Sequence, residues 1–254
     1  MKKQKKKNVK QIKAEDIFLI TIFIICFCVA TYSGIRIIQW FLNNKQNSEI
    51  IETISSKISL DTIENEKGKY NIDFEGLKEI NSDTVGWLKV YGTDVEFPVV
   101  QSIDNKYYLT HNFQKKNNKA GWIFADFNNK FDGTDKNIVI YGHNRRDGSM
   151  FATLKNILNR EWCENDANRM VIFITPNEYS LYEVFSVYQI IEEDYYITTN
   201  FENYSYSDFI KRAKSKSIYD FGIDVFQEDS ILTLSTCADN SKYRIVLQAK
   251  KIAD

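Results

Sequence analysis

The amino-acid sequence predicts a mainly β, α+β domain in which eight strands close into a barrel, with N-terminal helices and a surface helix before the last two strands. Eight short runs rich in Val, Ile, Tyr and Phe are separated by turn residues, which is typical of a closed antiparallel or mixed barrel. Two helical patterns interrupt these runs, and an uncharged apolar segment precedes them. The chain has 254 residues, of which 43% are hydrophobic, enough for one packed domain and a short accessory segment.

Composition and charge exclude several classes of protein. The net charge is −1, and the only basic block, seven Lys within residues 1–16, abuts the apolar segment, so the chain is not expected to bind nucleic acid. The four Cys form no CxxC pair, which argues against a disulfide scaffold. Two His are too few for a typical zinc site, so no metal is expected.

The apolar segment at 17–35 contains nineteen residues without a charge. As a helix it would span roughly 28 Å, close to a hydrocarbon core of about 30 Å. A secretory signal peptide is the alternative, but the run is longer than a usual signal core and lacks a small-x-small cleavage site. The Lys cluster should stay in the cytoplasm. We therefore expect a single-pass cell-membrane protein with a cytoplasmic tail at 1–16, an anchor at 17–35, a juxtamembrane linker and helix at 36–69, and an extracellular domain at 70–254.

Two helices are expected before the barrel. Ile50, Ile51, Ile54 and Ile58 recur at helical spacing and predict an amphipathic juxtamembrane helix within 43–66. A second, short helix is expected at Phe74–Ile80. The eight predicted strands follow, at 87–92, 95–101, 121–126, 137–143, 170–175, 181–191, 230–237 and 243–250.

Two further helices interrupt the strands. Ser149 is a candidate N-cap for a helix whose apolar stripe contains Phe151, Leu154 and Ile157. The other helix, at 206–218, is more polar and is expected to lie on the surface.

Apolar alternation determines the register of the hairpin formed by the last two strands. Pairing Leu234 with Leu247 gives one mainly apolar face. A register shift of one residue would mix apolar and polar side chains on both faces. The same register places Cys237 opposite Arg244. A cation beside Cys237 would favour the thiolate, the form that attacks a carbonyl group, or would itself stabilise an oxyanion. The alternatives are a strand-end core cysteine and a solvated arginine.

The two histidines are expected to differ in role. His143 follows the apolar strand NIVIY and precedes a loop, a common position for functional groups, and it is the better candidate for an acid or base beside Cys237. His111 follows an aromatic cluster and is interpreted as structural or surface. Cys163 lies in a polar stretch and is expected to be a half-exposed bystander.

The motifs that contain these residues resemble those of the sortases, membrane-anchored cysteine transpeptidases of Gram-positive bacteria. The matching segments are TLSTC at 233–237 followed by Arg244, and YGHN at 141–144. YGHNRRDGSMFATL at 141–154, NSDTVGWLKVYGT at 81–93, FPVVQ at 97–101 and DNKYYL at 104–109 resemble the class B subgroup in particular. The resemblance covers roughly residues 70–252, and it implies the same eight-stranded barrel behind an N-terminal anchor.

By this resemblance, His143 is the general acid and base, Cys237 the nucleophile, and Arg244 the cation that positions substrate and stabilises the oxyanion. The sorting-peptide groove would be lined by Asn105, Leu109, Tyr196, Ile197, Ser235 and Thr236. Only six residues separate Cys237 from Arg244, which is short for the family and bears on the entry of the second substrate.

The resemblance also implies the reaction and its partners. Surface proteins with a C-terminal sorting signal would be cleaved after Thr and joined, through a Cys thioacyl intermediate, to an amine of the peptidoglycan stem or cross-bridge or of its lipid-linked precursor. This chemistry requires no metal or organic cofactor. The alternatives are a pilin-polymerising sortase with a Lys acceptor and a catalytically inactive anchored binding domain.

Overall fold

A computed structural model describes residues 13–55, 58–61, 69–191, 193–237 and 242–253, and for 58–61, 69, 237 and 253 it describes the backbone alone. The chain divides into two compact units, Met1–Gln46 and Asn47–Asp254. Helix α1 spans Ala14–Ser55 and contains an 18-residue window with a mean hydropathy of 2.3, none of which is buried. By length and composition this helix could cross a membrane, a property that a signal sequence near the N-terminus shares.

The predicted juxtamembrane helix is confirmed up to Ser55 and is wrong at residues 58–61. Ile50 and Ile54 are buried, as their helical spacing predicts. Ile58, however, lies in strand β1 (Ile58–Asp61), which pairs antiparallel with β2 (Lys69–Ile72). Ile58 continues the helical spacing of the preceding isoleucines by coincidence of sequence, since it belongs to a strand. Residues 56–57 and 62–68 lie outside the described residues. The short helix α2 (Phe74–Ile80) is confirmed, with Asp73 accepting a hydrogen bond from Gly76 N at its start.

The predicted eight-stranded barrel is confirmed. Its strands follow the order β10-β8-β7-β3-β4-β5-β6-β9 and close into a ring. The pairs β4–β5 and β6–β9 are parallel and the other pairs are antiparallel, so the barrel is mixed. The strands are β3 (Thr84–Val90), β4 (Glu96–Val100), β5 (Phe124–Ala125), β6 (Asn137–Gly142), β7 (Met170–Thr175), β8 (Glu178–Ile191), β9 (Ile231–Cys237) and β10 (Tyr243–Ala253).

The register of the β9–β10 hairpin is the predicted one. Leu234 pairs with Leu247, and Cys237 pairs with Arg244. Leu234 and Leu247 are fully buried, and each such side chain contributes about 1.5–3 kcal/mol to folding by leaving water. Gln248, on the opposite face, is fully buried as well, so this hairpin is covered on both faces.

The segment after β6 differs from its prediction. In place of an α-helix capped by Ser149, a 3₁₀ helix occupies Ala152–Leu158 and is followed by the short helix α3 (Arg160–Glu164). The Ser149 hydroxyl donates to the Asp147 carboxylate at 2.6 Å and so does not cap a helix. Met150 has a positive φ of 58°, which prevents a regular helix from starting there. The three residues of the predicted apolar stripe, Phe151, Leu154 and Ile157, are nevertheless buried.

The polar helix before the Cys-bearing strand is confirmed as α4 (Tyr206–Lys216). It begins after Ser205, whose hydroxyl accepts a hydrogen bond from Asp208 N. Its polar face is exposed, while its apolar face packs in a cluster with Phe185 of β8. In addition, the hydroxyl of Ser186 on β8 donates to Ala213 O of α4 at 2.7 Å. The helix is therefore attached to the outside of the barrel.

Candidate active site

A cavity of about 210 Å³ opens beside the C-terminal ends of β6 and β9. Eight of the nine predicted site residues line it, namely Asn105, Leu109, His143, Tyr196, Ile197, Ser235, Thr236 and Arg244. The ninth, Cys237, directly follows Thr236, and of Cys237 only the backbone is described. The cavity is also lined by residues that the sequence did not single out: Phe124, Tyr141, Gly142, Glu193 and Asp194.

The three residues predicted to act in chemistry converge through strand pairing. Cys237 ends β9 and is paired with Arg244 of β10. Strand β6 runs parallel to β9 on its other side, with Gly142 paired to Thr236. His143 is the next residue after Gly142, and Cys237 the next after Thr236, so both lie one step beyond the same pair. Because adjacent strands are about 4.8 Å apart, the barrel brings these three backbone positions together.

The imidazole of His143 is held against a tightly packed loop. Its Nε2 lies 2.9 Å from Leu109 O, a distance that indicates a hydrogen bond when this nitrogen carries the proton. Gly121 has a positive φ of 60°, and a Cβ there would lie 2.9 Å from His143 Cδ2 and 2.5 Å from Tyr108 O. Only glycine fits this position, and its backbone forms the surface against which the His143 ring lies.

One wall of the cavity, the polar wall, is formed by Asn105 and Tyr141. Asn105 Nδ2 donates to the buried carboxylate of Asp126 at 2.7 Å, and Asn105 Oδ1 accepts from Phe127 N at 3.0 Å. The hydroxyl of Tyr141 donates to the same carboxylate oxygen at 2.8 Å. Burial, followed by the negative charge of Asp126, raises the pKa of Tyr141, so its phenol stays protonated and donates its one proton to that carboxylate.

A second wall, the aromatic wall, is the 3₁₀ turn Tyr195–Ile197, of which Tyr196 and Ile197 line the cavity. Tyr196 is buried, and its hydroxyl lies 3.2 Å from the hydroxyl of Ser235 beside the Cys237 position. The guanidinium of Arg212, on α4, lies 3.8 Å from the centroid of the Tyr195 ring. The same guanidinium pairs with Glu193 at 2.8 Å. Helix α4 thus holds the turn from outside the cavity.

The remaining candidates lie elsewhere. His111 does not line the cavity and stacks on Tyr107 with ring centroids 4.0 Å apart, which agrees with a structural role. The prediction that Cys163 is half-exposed is wrong, because it is 1% exposed and its thiol donates to Ile157 O. The polar residues around it in the sequence face solvent on the other side of α3. Among the described residues, no group of three or more His, Cys, Asp or Glu is arranged to hold a metal ion.

The sequence and the fold of this chain are similar to those of known proteins. A family model described as Sortase domain matches residues 88–252, which is more than half of the chain. The chain belongs to the sortase family. It is similar to the sortase B of Listeria monocytogenes, with 36% identity over 231 residues that cover 88% of this chain and 92% of that relative.

Solved structures place this sortase in class B. It is similar to Clostridium perfringens sortase B, with 43% identity and a TM-score of 0.66 over 70% of this chain and 99% of that one. It is also similar to a Staphylococcus aureus sortase B–substrate complex, with 37% identity and a TM-score of 0.65 over 70% and 84% of the two chains. A sortase B complexed with triglycine matches at 37% identity with a TM-score of 0.66, over 70% and 85%. This sortase is a cysteine transpeptidase of class B.

Proposed function

We propose that this sortase cleaves a C-terminal sorting motif after Thr and transfers the acyl fragment to an amine. The observation that supports this proposal is a cavity that gathers His143, Arg244 and six predicted groove residues at the backbone position of Cys237. The Cys237 thiolate attacks the Thr carbonyl, the peptide C–N bond breaks, and His143 donates a proton to the departing amine. The product of this step is a thioacyl enzyme.

In the second step an amine attacks the thioester carbon, His143 accepts a proton from it, and the Cys237 thiolate is released. Arg244 lies in the cavity wall, where its guanidinium is suited to donate hydrogen bonds to the oxyanion of both tetrahedral intermediates. The planar fork of Arg also suits it to position a peptide carbonyl. The reaction conserves atoms and charge without an oxidant or a cofactor.

The acceptor is proposed to be an amine of the peptidoglycan stem or cross-bridge, or of its lipid-linked precursor. Two class B structures support a peptide donor and a small amine acceptor, since one is a substrate complex and another is complexed with triglycine. Transfer to such an amine would anchor surface proteins to the cell wall.

The membrane topology is proposed from the sequence and the length of α1. We place residues 17–35 in the cell membrane, the tail at 1–16 in the cytoplasm, the juxtamembrane segment at 36–69 next to the membrane, and the catalytic domain at 70–254 outside. In this topology the active site faces the compartment in which wall precursors and secreted proteins meet.

The test is to incubate the full chain in detergent with candidate sorting peptides of the Asn-Pro-x-Thr and Pro-x-Thr-Gly types, with and without triglycine. The intact protein mass is read before and after digestion. An acyl adduct that maps to Cys237 and is discharged by triglycine supports the proposal. Cys163→Ser is the matched control and should form the adduct, while Cys237→Ala should not. An adduct on another residue, or no adduct with any peptide, would contradict the proposed function.

A further inference from the structure

A buried carboxylate lies behind the polar wall and outside the cavity itself. Asp126 directly follows β5 and is 3% exposed, and it is not among the residues that line the cavity. Within the described part of the chain, no Lys or Arg forms an ion pair with it. Burying a carboxylate without a cation destabilises the folded state unless hydrogen bonds satisfy its oxygens, so the identity of its donors matters.

The donors to Asp126 come from three places in the sequence. Asn105 Nδ2 and the Tyr141 hydroxyl share Oδ2, at 2.7 and 2.8 Å. Asn128 supplies both its backbone N–H and its side-chain amide to Oδ1, each at 2.9 Å. Every partner donates, which is the pattern of an ionised carboxylate. Two of these donors, Asn105 and Tyr141, line the cavity.

These bonds determine which way the Asn105 amide faces. A carboxylate accepts and cannot donate, so the NH₂ group of Asn105 must point to Asp126. Its carbonyl oxygen accepts from Phe127 N at 3.0 Å, and a backbone N–H can only donate. The flipped amide would set donor against donor at Phe127 and acceptor against acceptor at Asp126. One N–H and one lone pair of Asn105 remain available to a peptide in a single orientation.

Tyr141 is held by the same oxygen. Its ring packs against Phe124 with centroids 5.2 Å apart, and the bond to Asp126 sets the position of its hydroxyl. We infer that Asp126 is a positioning residue for peptide binding, which orients Asn105 and Tyr141 together although it does not contact the substrate itself. This inference rests on the proposed function, because it assigns the polar wall to the sorting peptide.

The kinetic test compares Asp126→Asn in two backgrounds, using the full chain in detergent and the sorting peptide that gives the adduct. In the wild-type background we expect KM to rise about 10-fold with a smaller change in kcat, since the peptide contacts lose their orientation. In the Asn105→Ala, Tyr141→Phe background, the same substitution should change KM less than about 2-fold. An equal rise in both backgrounds would mean that Asp126 acts on general stability, and it would overturn the inference.

Asp135→Asn is the matched control. Asp135 also accepts hydrogen bonds from neighbouring groups, including Lys130 N and Phe131 N, but it does not line the active-site cavity. Its substitution should lower stability without raising KM. A KM rise equal to that of Asp126→Asn would contradict a specific role for Asp126.

A second measurement decides the inference without turnover. In the ¹⁵N–¹H spectrum of the full chain, the side-chain amide pair of Asn105 is identified by its loss in Asn105→Ala. We expect Asp126→Asn to shift this pair and to accelerate its exchange with water, and Asp135→Asn to leave it unchanged. An Asn105 amide that is the same with and without Asp126 overturns the inference, even if no peptide forms an adduct and the proposed function itself fails.

Discussion

The two walls of the active-site cavity are held by different forces. The polar wall depends on hydrogen bonds to one buried carboxylate, which set the directions of Asn105 and Tyr141. The aromatic wall, Tyr195–Ile197, depends on ring packing and on the guanidinium of Arg212, which is 43% exposed. Hydrogen bonds to a buried charge are directional and poorly screened, whereas ring packing and half-exposed ion pairs tolerate small displacements and weaken in salt.

This difference indicates that substitutions in the two walls should change peptide binding in different ways. The polar wall presents donors and acceptors in a set orientation, so the loss of that orientation should raise KM about 10-fold whatever the ionic strength. The aromatic wall is attached to α4 on the outside of the barrel, so its substitution should have graded effects that depend on ionic strength. The following variants distinguish the effect of changing a wall from the effect of changing the chemical residues or a residue elsewhere.

The largest effect is expected at His143, which lines the same cavity but belongs to neither wall. His143→Ala should reduce transfer about 10³-fold, because proton transfer to and from the amine is lost in both steps. The measurement is single-turnover adduct formation and its discharge by triglycine. A loss confined to KM would mean that His143 only contributes to the walls and has no part in the chemistry.

A slightly smaller loss is expected for Arg244→Lys. The charge is kept but the planar fork is lost, so we expect kcat/KM to fall about 10²-fold. Lys242→Arg is the matched control, since Lys242 lies two residues before Arg244 and is not among the residues that line the cavity. Near-normal turnover of Arg244→Lys would remove Arg244 from oxyanion stabilisation.

A graded effect is expected on the aromatic wall. Arg212→Ala removes the contact with the Tyr195 ring and the pair with Glu193, and KM should rise about 3-fold to 5-fold at low salt. In high salt the rise in KM should be smaller, because the ion pair with Glu193 is then screened in the wild type as well. Arg212→Lys keeps the charge and should show a smaller rise in KM than Arg212→Ala. The control is Lys211→Ala, since the Lys211 side chain is 78% exposed and its ammonium lies 3.7 Å from the Asp208 carboxylate. Equal effects at positions 211 and 212 would refute the role of α4 in holding this wall.

The hydroxyl pair between Tyr196 and Ser235 should affect stability more than activity. Tyr196→Phe should lower the free energy of unfolding by about 1 kcal/mol, because a buried polar group loses a partner. Chemical denaturation of Tyr196→Phe, Ser235→Ala and the double variant gives the coupling between the two hydroxyls. Additive losses would indicate that they do not interact in solution.

The smallest effect is expected at Cys163, which is remote from both walls. Burial raises the pKa of the Cys163 thiol, so its thiolate fraction at pH 8 falls below that of an ordinary cysteine. Iodoacetamide should therefore leave Cys163 unmodified in the native protein and modify it after unfolding, as read by peptide mapping. Rapid native modification would show that this thiol is accessible.

The sequence by itself determined the barrel strands and the pairing of Cys237 with Arg244, whereas the parallel pairing of β6 with β9 that brings His143 beside them came from the structure. Strand alternation has a period of two, and the apolar partners Leu234 and Leu247 permit one register, so the pairing of Cys237 with Arg244 followed from local pattern alone. His143 was predicted as a functional residue because it lies at the end of an apolar strand. Tyr141 belongs to the same YGHN motif, but no pattern in the sequence indicated a role for it.

Tertiary structure decided what local pattern leaves open. Ile58 continues the helical spacing but pairs in a β-strand, and Cys163 lies among polar residues yet is buried, since burial depends on which elements pack nearby. The contacts of Asp126 join positions 105 and 141, which are far apart in sequence. No periodicity encodes such a contact, because it exists only once the closed barrel brings β5, β6 and the Asn105 loop together. The sequence specified which groups are present, and the fold determined which of them orient the others.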